Sequence, residues 1–535
     1  MASQPASLPT SAGALARPGV LARLAPFGLA GVAGALSILS FPGYGLWPLA
    51  FVSLVPLLYV LEGTTPGRAL ALGCFAGFIA NAAGFYWLVG TVRDFGELPL
   101  PVALAAYLAM SAANGLGWGV FSWLIRVARS RDGRSPWWLA PVAFTAVEFA
   151  WWSVFPAYFG AGLWKATILA QAAELTGIVG LSFLLVLMNA AIFDAFRATQ
   201  RLSTDWRRSV AIAVVALAAW TGFGAWRLAQ IDALSAAAPT LKIGMAQSNI
   251  GAFTKRRAGQ GEISAARDEV TTYQQMSREL EAQGIQLLMW PETAYPFRLP
   301  LGTTNAKQAT GPVAIPAVIG AVTDQAHGTM HNSAVLLDRG GNILGQSHKI
   351  HMVPFGEYLP FGDRFPKLYE LIPAISHLQP GDAPHPLVLP DGANTWRFGS
   401  LICYEDILPG YTREVVRATD PDIILNLTND SWYGDSIEPT IHLALATFRS
   451  IEHRRSLVRS TNTGRSALID PAGRVILESG QHTKETLVGT LPVIRGVTTV
   501  YRVLGDWLGW ICVAISLGLA WVRRRERDRA ATGGA

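Results

Sequence analysis

Charge is what this 535-residue chain lacks: Asp, Glu, Lys and Arg make up only 15% of it, against 51% hydrophobic residues. A water-soluble domain usually carries about 25% charged residues, so a chain exposed to water throughout is excluded. Cysteine is scarcer still, and three residues (Cys74, Cys403, Cys512) cannot build a disulfide framework. Cys74 and Cys512 fall in apolar runs and read as small buried hydrophobes. Cys403 alone lies in a polar region, where an unpaired thiol is a candidate for chemistry. HExxH and paired CxxC motifs are missing, and His351, His377 and His442 have no metal-ligand spacing, so no metal is expected. No Gly-rich phosphate loop opens a helix, and neither an internal repeat nor a low-complexity stretch is evident.

Long apolar runs are what the chain has instead, at about 24–42, 45–62, 69–92, 100–125, 137–156, 172–193, 209–229 and 506–522. Each can supply the roughly 20 residues that a helix needs to cross about 30 Å of hydrocarbon. About eight spans are expected, seven before a polar insert and one after it. The formal net charge of +6 comes from arginines clustered in alternate short loops: Arg68; Arg126, Arg129, Arg131 and Arg134; Arg197, Arg201, Arg207 and Arg208; and Arg523, Arg524, Arg525, Arg527 and Arg529. Intervening loops hold little beyond Arg93 and Lys165. That pattern reports topology rather than a nucleic-acid surface, and the positive-inside rule puts both termini in the cytoplasm with the insert across the membrane. Residues 1–20 are polar, Ala/Pro-rich and expected to be disordered, and the first run lacks a small-x-small cleavage site, so it reads as a retained span. Glu148 falls within a span, where a carboxylate is costly and often functional, although Trp151 and Trp152 beside it could mark an interface with water.

The expected organisation is a membrane domain at 21–235, a soluble domain at 236–500, a closing span at 501–523 and a basic tail at 524–535. Within the insert, short apolar runs at 241–247, 285–290, 313–320, 333–338, 396–403 and 422–428 alternate with helical stretches such as 262–283, which implies a layered α/β domain. Three motifs just past such runs carry reactive groups: Trp290-Pro291-Glu292, then Lys349 in HKIHMVPFGEYLP (348–360), then Cys403 in SLICYEDILPG (400–410). Strand ends are where open α/β sheets place their sites. Each alone has a bland reading as a turn glutamate, a surface lysine or a buried cysteine. Together, a carboxylate, an ammonium and a thiol are the equipment of covalent acyl transfer.

Their order and spacing resemble the Glu-Lys-Cys triad of the nitrilase superfamily. The likeness extends to AQSNI (246–250), HNSA (331–334), LTNDSWYGDS (427–436), RSIEHRRSLVRSTNTG (449–464) and YRVLGDW (501–507), and with the order of spans it resembles the apolipoprotein N-acyltransferase family over nearly the whole chain. That resemblance implies a nitrilase-like αββα sandwich set in a helical membrane bundle. It implies an inner-membrane enzyme, without cofactor, that moves an acyl chain from a phospholipid to the α-amine of a diacylglyceryl-cysteine lipoprotein. Glu292 would be the general base, Lys349 the oxyanion-stabilising cation and Cys403 the nucleophile, with the Tyr404 amide a second oxyanion donor and Glu357 and Glu405 in support. Departures from the family pattern are Gly251 and Ala252 for Pro-Gln, Arg256 for a nearby Trp, and Ala157 for the Trp after Phe155-Pro156. A membrane-anchored amidase would leave most spans unexplained, and a transporter would leave the triad unexplained and show more charge within its spans.

Overall fold

The apolar runs fold as helices in the computed structural model, which describes residues 20–128, 136–200, 206–251, 262–360, 362, 364–365, 367, 378–392 and 394–532. Arg129, Arg131, Arg134, Arg201, Ala252, Arg256, His377 and, but for Val20, the N-terminal segment lie outside the described residues. Helices Leu100–Val127, Ile178–Thr199, Trp206–Ala237 and Trp507–Glu526 are each long and apolar enough to cross a membrane. A fifth candidate, Pro66–Gly84 with Leu88–Phe95, is bent by 65° at its break. The remaining runs yield only shorter apolar helices, Leu24–Leu39, Trp47–Leu61 and Leu139–Ala150. The expectation that every run reaches full spanning length is corrected at the second and fifth runs, where Pro48 and Pro56 interrupt the second and the fifth stops before Trp151, whereas the first lies in the 20-residue helix Val20–Leu39.

Glycine lets the bundle close. Helices Pro66–Gly84 and Leu100–Val127 approach through Gly73, Gly77, Gly115 and Gly119, and a Cβ on Gly77 would lie 2.9 Å from Gly115 Cα. Such small-residue contacts substitute for a hydrophobic drive that lipid does not supply. Arginines gather at one end of the bundle, where Arg126 Nε donates to Thr64 O at 3.2 Å and Arg197 pairs with Glu62 at 2.9 Å. The 32-residue helix Trp206–Ala237 extends about 48 Å at 1.5 Å per residue, well beyond a bilayer core, and delivers the chain directly to the first strand.

Residues 240–492 hold two sheets. One has seven strands, in the order 485–492, 240–247, 287–289, 317–324, 330–337, 343–348, with 295–299 also paired to 317–324. The other has six, in the order 475–478, 467–469, 456–461, 423–428, 394–402, 387–391. Both are parallel at the centre and antiparallel at the edges. Leu241, Ile243 and Met289 of the first sheet meet Phe398, Leu425 and Val458 of the second in a shared core. Helix Ile263–Glu281 covers the outer face of one sheet, and helices Pro409–Thr419 and Glu438–His453 cover the other. The result is four layers, αββα. All six expected strands are present, though the run at 313–320 becomes the strand Ala317–Asp324 because Pro316 cannot extend the ladder.

The sandwich is fastened to the bundle by polar contacts. Arg454, fully buried, pairs with Glu174 and donates to Gln171 Oε1 at 2.7 Å, while Thr91 Oγ1 donates to Trp432 O at 2.9 Å. Phe95 stacks on Trp432 with centroids 4.0 Å apart, so the bent fifth candidate touches the sandwich beside the site described next.

Candidate active site

Cys403 is the first residue after the strand Asn394–Ile402, opening the short 3-10 turn Cys403–Ile407. Its φ is +55°, a left-handed conformation that costs a non-glycine residue about 1–3 kcal/mol and that lifts the side chain out of the strand's path. Glu405 holds the turn: one carboxylate oxygen accepts from Ile402 N at 2.7 Å, the other from Ile350 N and His351 N at 2.7 and 2.9 Å. The cysteine turn is thereby tied to the segment carrying Lys349. Asn426 Nδ2 donates to Cys403 O at 3.2 Å, and Tyr404 Oη donates to Val154 O of the membrane domain at 2.5 Å.

Glu292 follows the strand Leu287–Met289, and Lys349 follows the strand Ile343–His348. Trp290 anchors the first segment, fully buried, stacked on Tyr273 and donating to Ser277 Oγ at 3.0 Å. Lys349, 1% exposed, lies 2.7 Å from Glu357 Oε1 and 3.3 Å from Glu292 Oε1. Asn332 Nδ2 donates to the same Glu292 oxygen at 2.7 Å, and Glu357 Oε2 accepts from Val353 N at 2.8 Å. Gly320 backs the turn: a Cβ there would fall 2.7 Å from Glu292 Cα and 2.6 Å from Thr293 N. Gly320→Ala is therefore expected to displace Glu292 and lower kcat by about 100-fold, as a misplacement near 1 Å can; steady-state kinetics with a melting curve checks this.

Burial works against the Lys349 charge, but Glu357, Glu292 and Cys403 outweigh it and hold the ammonium well above its ordinary value. Burial and the Glu292 carboxylate push the Cys403 thiol well above its ordinary value, with Lys349 opposing them. Burial first, and the Glu292 carboxylate second, therefore disfavour a resting thiolate despite the nearby lysine. Sulfur becomes nucleophilic only as a base removes its proton. Alkylation of Cys403 by a small neutral reagent is expected to be slow at pH 7 and to rise through pH 10, measured by mass spectrometry.

Beneath the turn lies a second polar cluster. Arg459 bridges Asp406 at 2.8 Å and Asp430 at 2.9 Å, and His442 bridges the same two residues at 2.7 and 3.2 Å, all four essentially inaccessible. Burial and Arg459 oppose protonation of His442, yet the two aspartates lift it to about 10. Asp430, Glu438 and His442 present donor atoms within 4.8 Å of one another. Arg459 and His442 already pair with Asp430, which suits a structural ion-pair cluster better than a metal. Sequence reasoning assigned roles to Glu292, Lys349, Cys403, Glu357, Tyr404 and Glu405, and the structure brings all six together. It missed Asn332, Asp430, His442 and Arg459, three of which stand in the HNSA, LTNDSWYGDS and RSTNTG segments.

A cavity of about 160 Å³ opens against this turn. Phe85, Trp87, Trp118, Trp151 and Phe155 of the bundle line it together with Ile407 and Glu438 of the sandwich. Phe155 meets Tyr404 edge-on at 5.9 Å. Ala157, one of the departures from the family pattern, also lines it.

Family models place both halves of the chain. The N-terminal domain of apolipoprotein N-acyltransferase matches residues 33–191, and carbon-nitrogen hydrolase matches residues 257–496, the two-sheet domain. The apolipoprotein N-acyltransferase of Geobacter metallireducens is 32% identical over 94% of this chain and 95% of its own. That of Azotobacter vinelandii is 32% identical over 95% and 96%. Among solved structures, an amidase from Nesterenkonia sp. aligns at 18% identity and a TM-score of 0.34, over 47% of this chain and 90% of its own.

Proposed function

The chain belongs to the apolipoprotein N-acyltransferase family, and on that premise we propose that it moves an acyl chain from a phospholipid to the α-amine of a diacylglyceryl-cysteine lipoprotein through a thioester on Cys403. Glu292 takes the thiol proton as sulfur attacks the ester carbonyl. Charge developing on the carbonyl oxygen is met by Lys349 and the Tyr404 amide. Collapse expels the lysophospholipid, which receives the proton from Glu292. The acceptor amine then attacks the thioester, gives a proton through Glu292, and leaves Cys403 as a thiol.

The observation that carries this reading is the Lys349 ammonium held between Glu292 at 3.3 Å and Glu357 at 2.7 Å, with the Cys403 thiol within their electrostatic reach. Glu357 supports the lysine and leaves Glu292 available as the base. Fastening the sandwich to membrane helices favours acyl groups that stay in the bilayer, an argument from proximity. An amidase acting on a small soluble amide would need no such bundle. Purified protein in detergent is expected to transfer a labelled acyl chain from phospholipid to a diacylated lipopeptide; hydrolysis of small amides without transfer would favour the amidase.

The arginine pattern supports a periplasmic site with both termini cytoplasmic. A reporter fused after residue 235 should read periplasmic and one after residue 525 cytoplasmic, and the opposite pair of readings would remove the assignment.

A further inference from the structure

The triad chemistry leaves the cavity beside it without a role. Its walls combine aromatic rings (Trp87, Trp118, Trp151, Phe155) with two carboxyl groups, Glu148 from the membrane helix Leu139–Ala150 and Glu438 from the first turn of Glu438–His453. Among the described residues that line it there is no Lys, Arg or His, and the nearest imidazole, His442, stands behind Glu438 with Nδ1 3.9 Å from Oε1. Glu148 Oε1 accepts from Phe159 N at 2.6 Å and the Ser182 side chain stands beside the carboxyl group, whereas Oε2 is buried with no hydrogen bond among the described residues. Glu438 is 6% exposed, and its Oε2 is likewise buried and unpartnered. A buried carboxyl oxygen left unpaired is unfavourable, and a low-dielectric pocket heightens that cost. Two such oxygens at one cavity point to something that completes them.

Rings and carboxylates without a basic residue are the chemistry that recognises an alkylammonium, by charge-assisted hydrogen bonds and by cation–π attraction. We propose that this cavity is an ammonium subsite, in which Glu148 and Glu438 receive the protonated amine of an amphiphilic substrate at the edge of the nucleophile turn. Ile407 lines the same cavity, and Tyr433 bridges its wall to the site, meeting Trp87 at 5.0 Å while standing close enough to Cys403 and Glu438 to be perturbed by both. Burial holds Glu438 above the usual carboxylate range, with His442 and Arg459 opposing it, and a cation arriving at Oε2 would favour its ionised form further.

The inference rests on the acyl-transfer reading, which supplies two sources of such a group: an ethanolamine headgroup on the donor or the α-ammonium of the acceptor. Binding can be measured without turnover on full-length Cys403→Ala protein in detergent by native mass spectrometry. The probes are phosphatidylethanolamine against phosphatidylglycerol, and a diacylglyceryl peptide with a free against an acetylated α-amine. At least one ammonium probe should be retained about tenfold better than its counterpart, as expected for a hydrogen bond to a charged group. Preference for ethanolamine would assign the donor headgroup, and preference for the free amine would assign the acceptor. The preference should vanish in the Glu148→Gln/Glu438→Gln double variant and survive in Glu438→Asp, with melting curves checking that each is folded. Equal retention of every pair, or a preference unchanged in the double variant, would overturn the subsite and leave water as the partner of these oxygens. Failure of acyl transfer itself would appear separately, as wild-type protein that makes no product.

Discussion

Cys403→Ala, Glu292→Gln and Lys349→Met are each expected to bring acyl transfer down to background, while Cys74→Ala and Cys512→Ala leave it within about twofold. On the proposed mechanism the three groups act on one transition state, so their losses should not add, and a Cys403→Ala/Glu292→Gln double variant should be no slower than either single one. Cys74 lies against Gly119 in the bundle, and Cys512 packs with Val142 and Ala146, far from this chemistry. Lys349 differs from its partners in one respect. Removing it leaves Glu292 and Glu357 facing each other in a buried site, and loss of one side of such a pair typically costs about 3–5 kcal/mol. Lys349→Met should therefore lower Tm as well as activity, whereas Cys403→Ala should not. A Cys403→Ala rate above about a tenth of wild type, less than about 1.4 kcal/mol of barrier, would mean that another group is the nucleophile.

The second large effect is expected at Arg459, which no substrate needs to touch. Arg459→Met leaves Asp406 and Asp430 buried with the His442 imidazolium between them, and should destabilise the sandwich by about 3–5 kcal/mol. Because Asp406 belongs to the turn that begins at Cys403, the surviving folded fraction should also have a lower kcat. A sign for pH follows from the same cluster. His442 is raised to about 10 in the folded chain, so its contribution is fully present below its unfolded value near 6.5 and is lost as pH rises through about 10. His442→Gln should flatten that alkaline loss in pH-dependent melting curves.

Composition made the membrane domain legible, since hydropathy accumulates over a run regardless of detail. Where the runs bend was not legible: the 65° break near Phe85 falls where Trp87 packs against Tyr433 of the sandwich. Strands Leu287–Met289 and Ile423–Thr428 were readable as apolar runs between turns. Ser456–Thr461 was missed although all six residues are buried, because Arg459, Ser460 and Thr461 disguise a central strand as a polar loop. The polarity is satisfied across the fold, with Arg459 reaching Asp406 over 53 residues of chain. Cys403, Lys349 and Glu292 could be singled out as candidates because each sits in its own motif past a strand. Asn332 and His442 act only through tertiary neighbours, and only the segments around them gave a signal.

The central claim is that Cys403 carries the acyl group between two substrates that never share the pocket. Intact-protein mass spectrometry after incubation with phospholipid alone tests it most directly. The account predicts one acyl mass on Cys403 with release of lysophospholipid before any acceptor is added. Neutral hydroxylamine should cleave that adduct, and a diacylglyceryl peptide should discharge it only if its α-amine is free. An unmodified enzyme under these conditions, together with intersecting double-reciprocal lines in place of parallel ones, would contradict the account and point to direct transfer within a ternary complex.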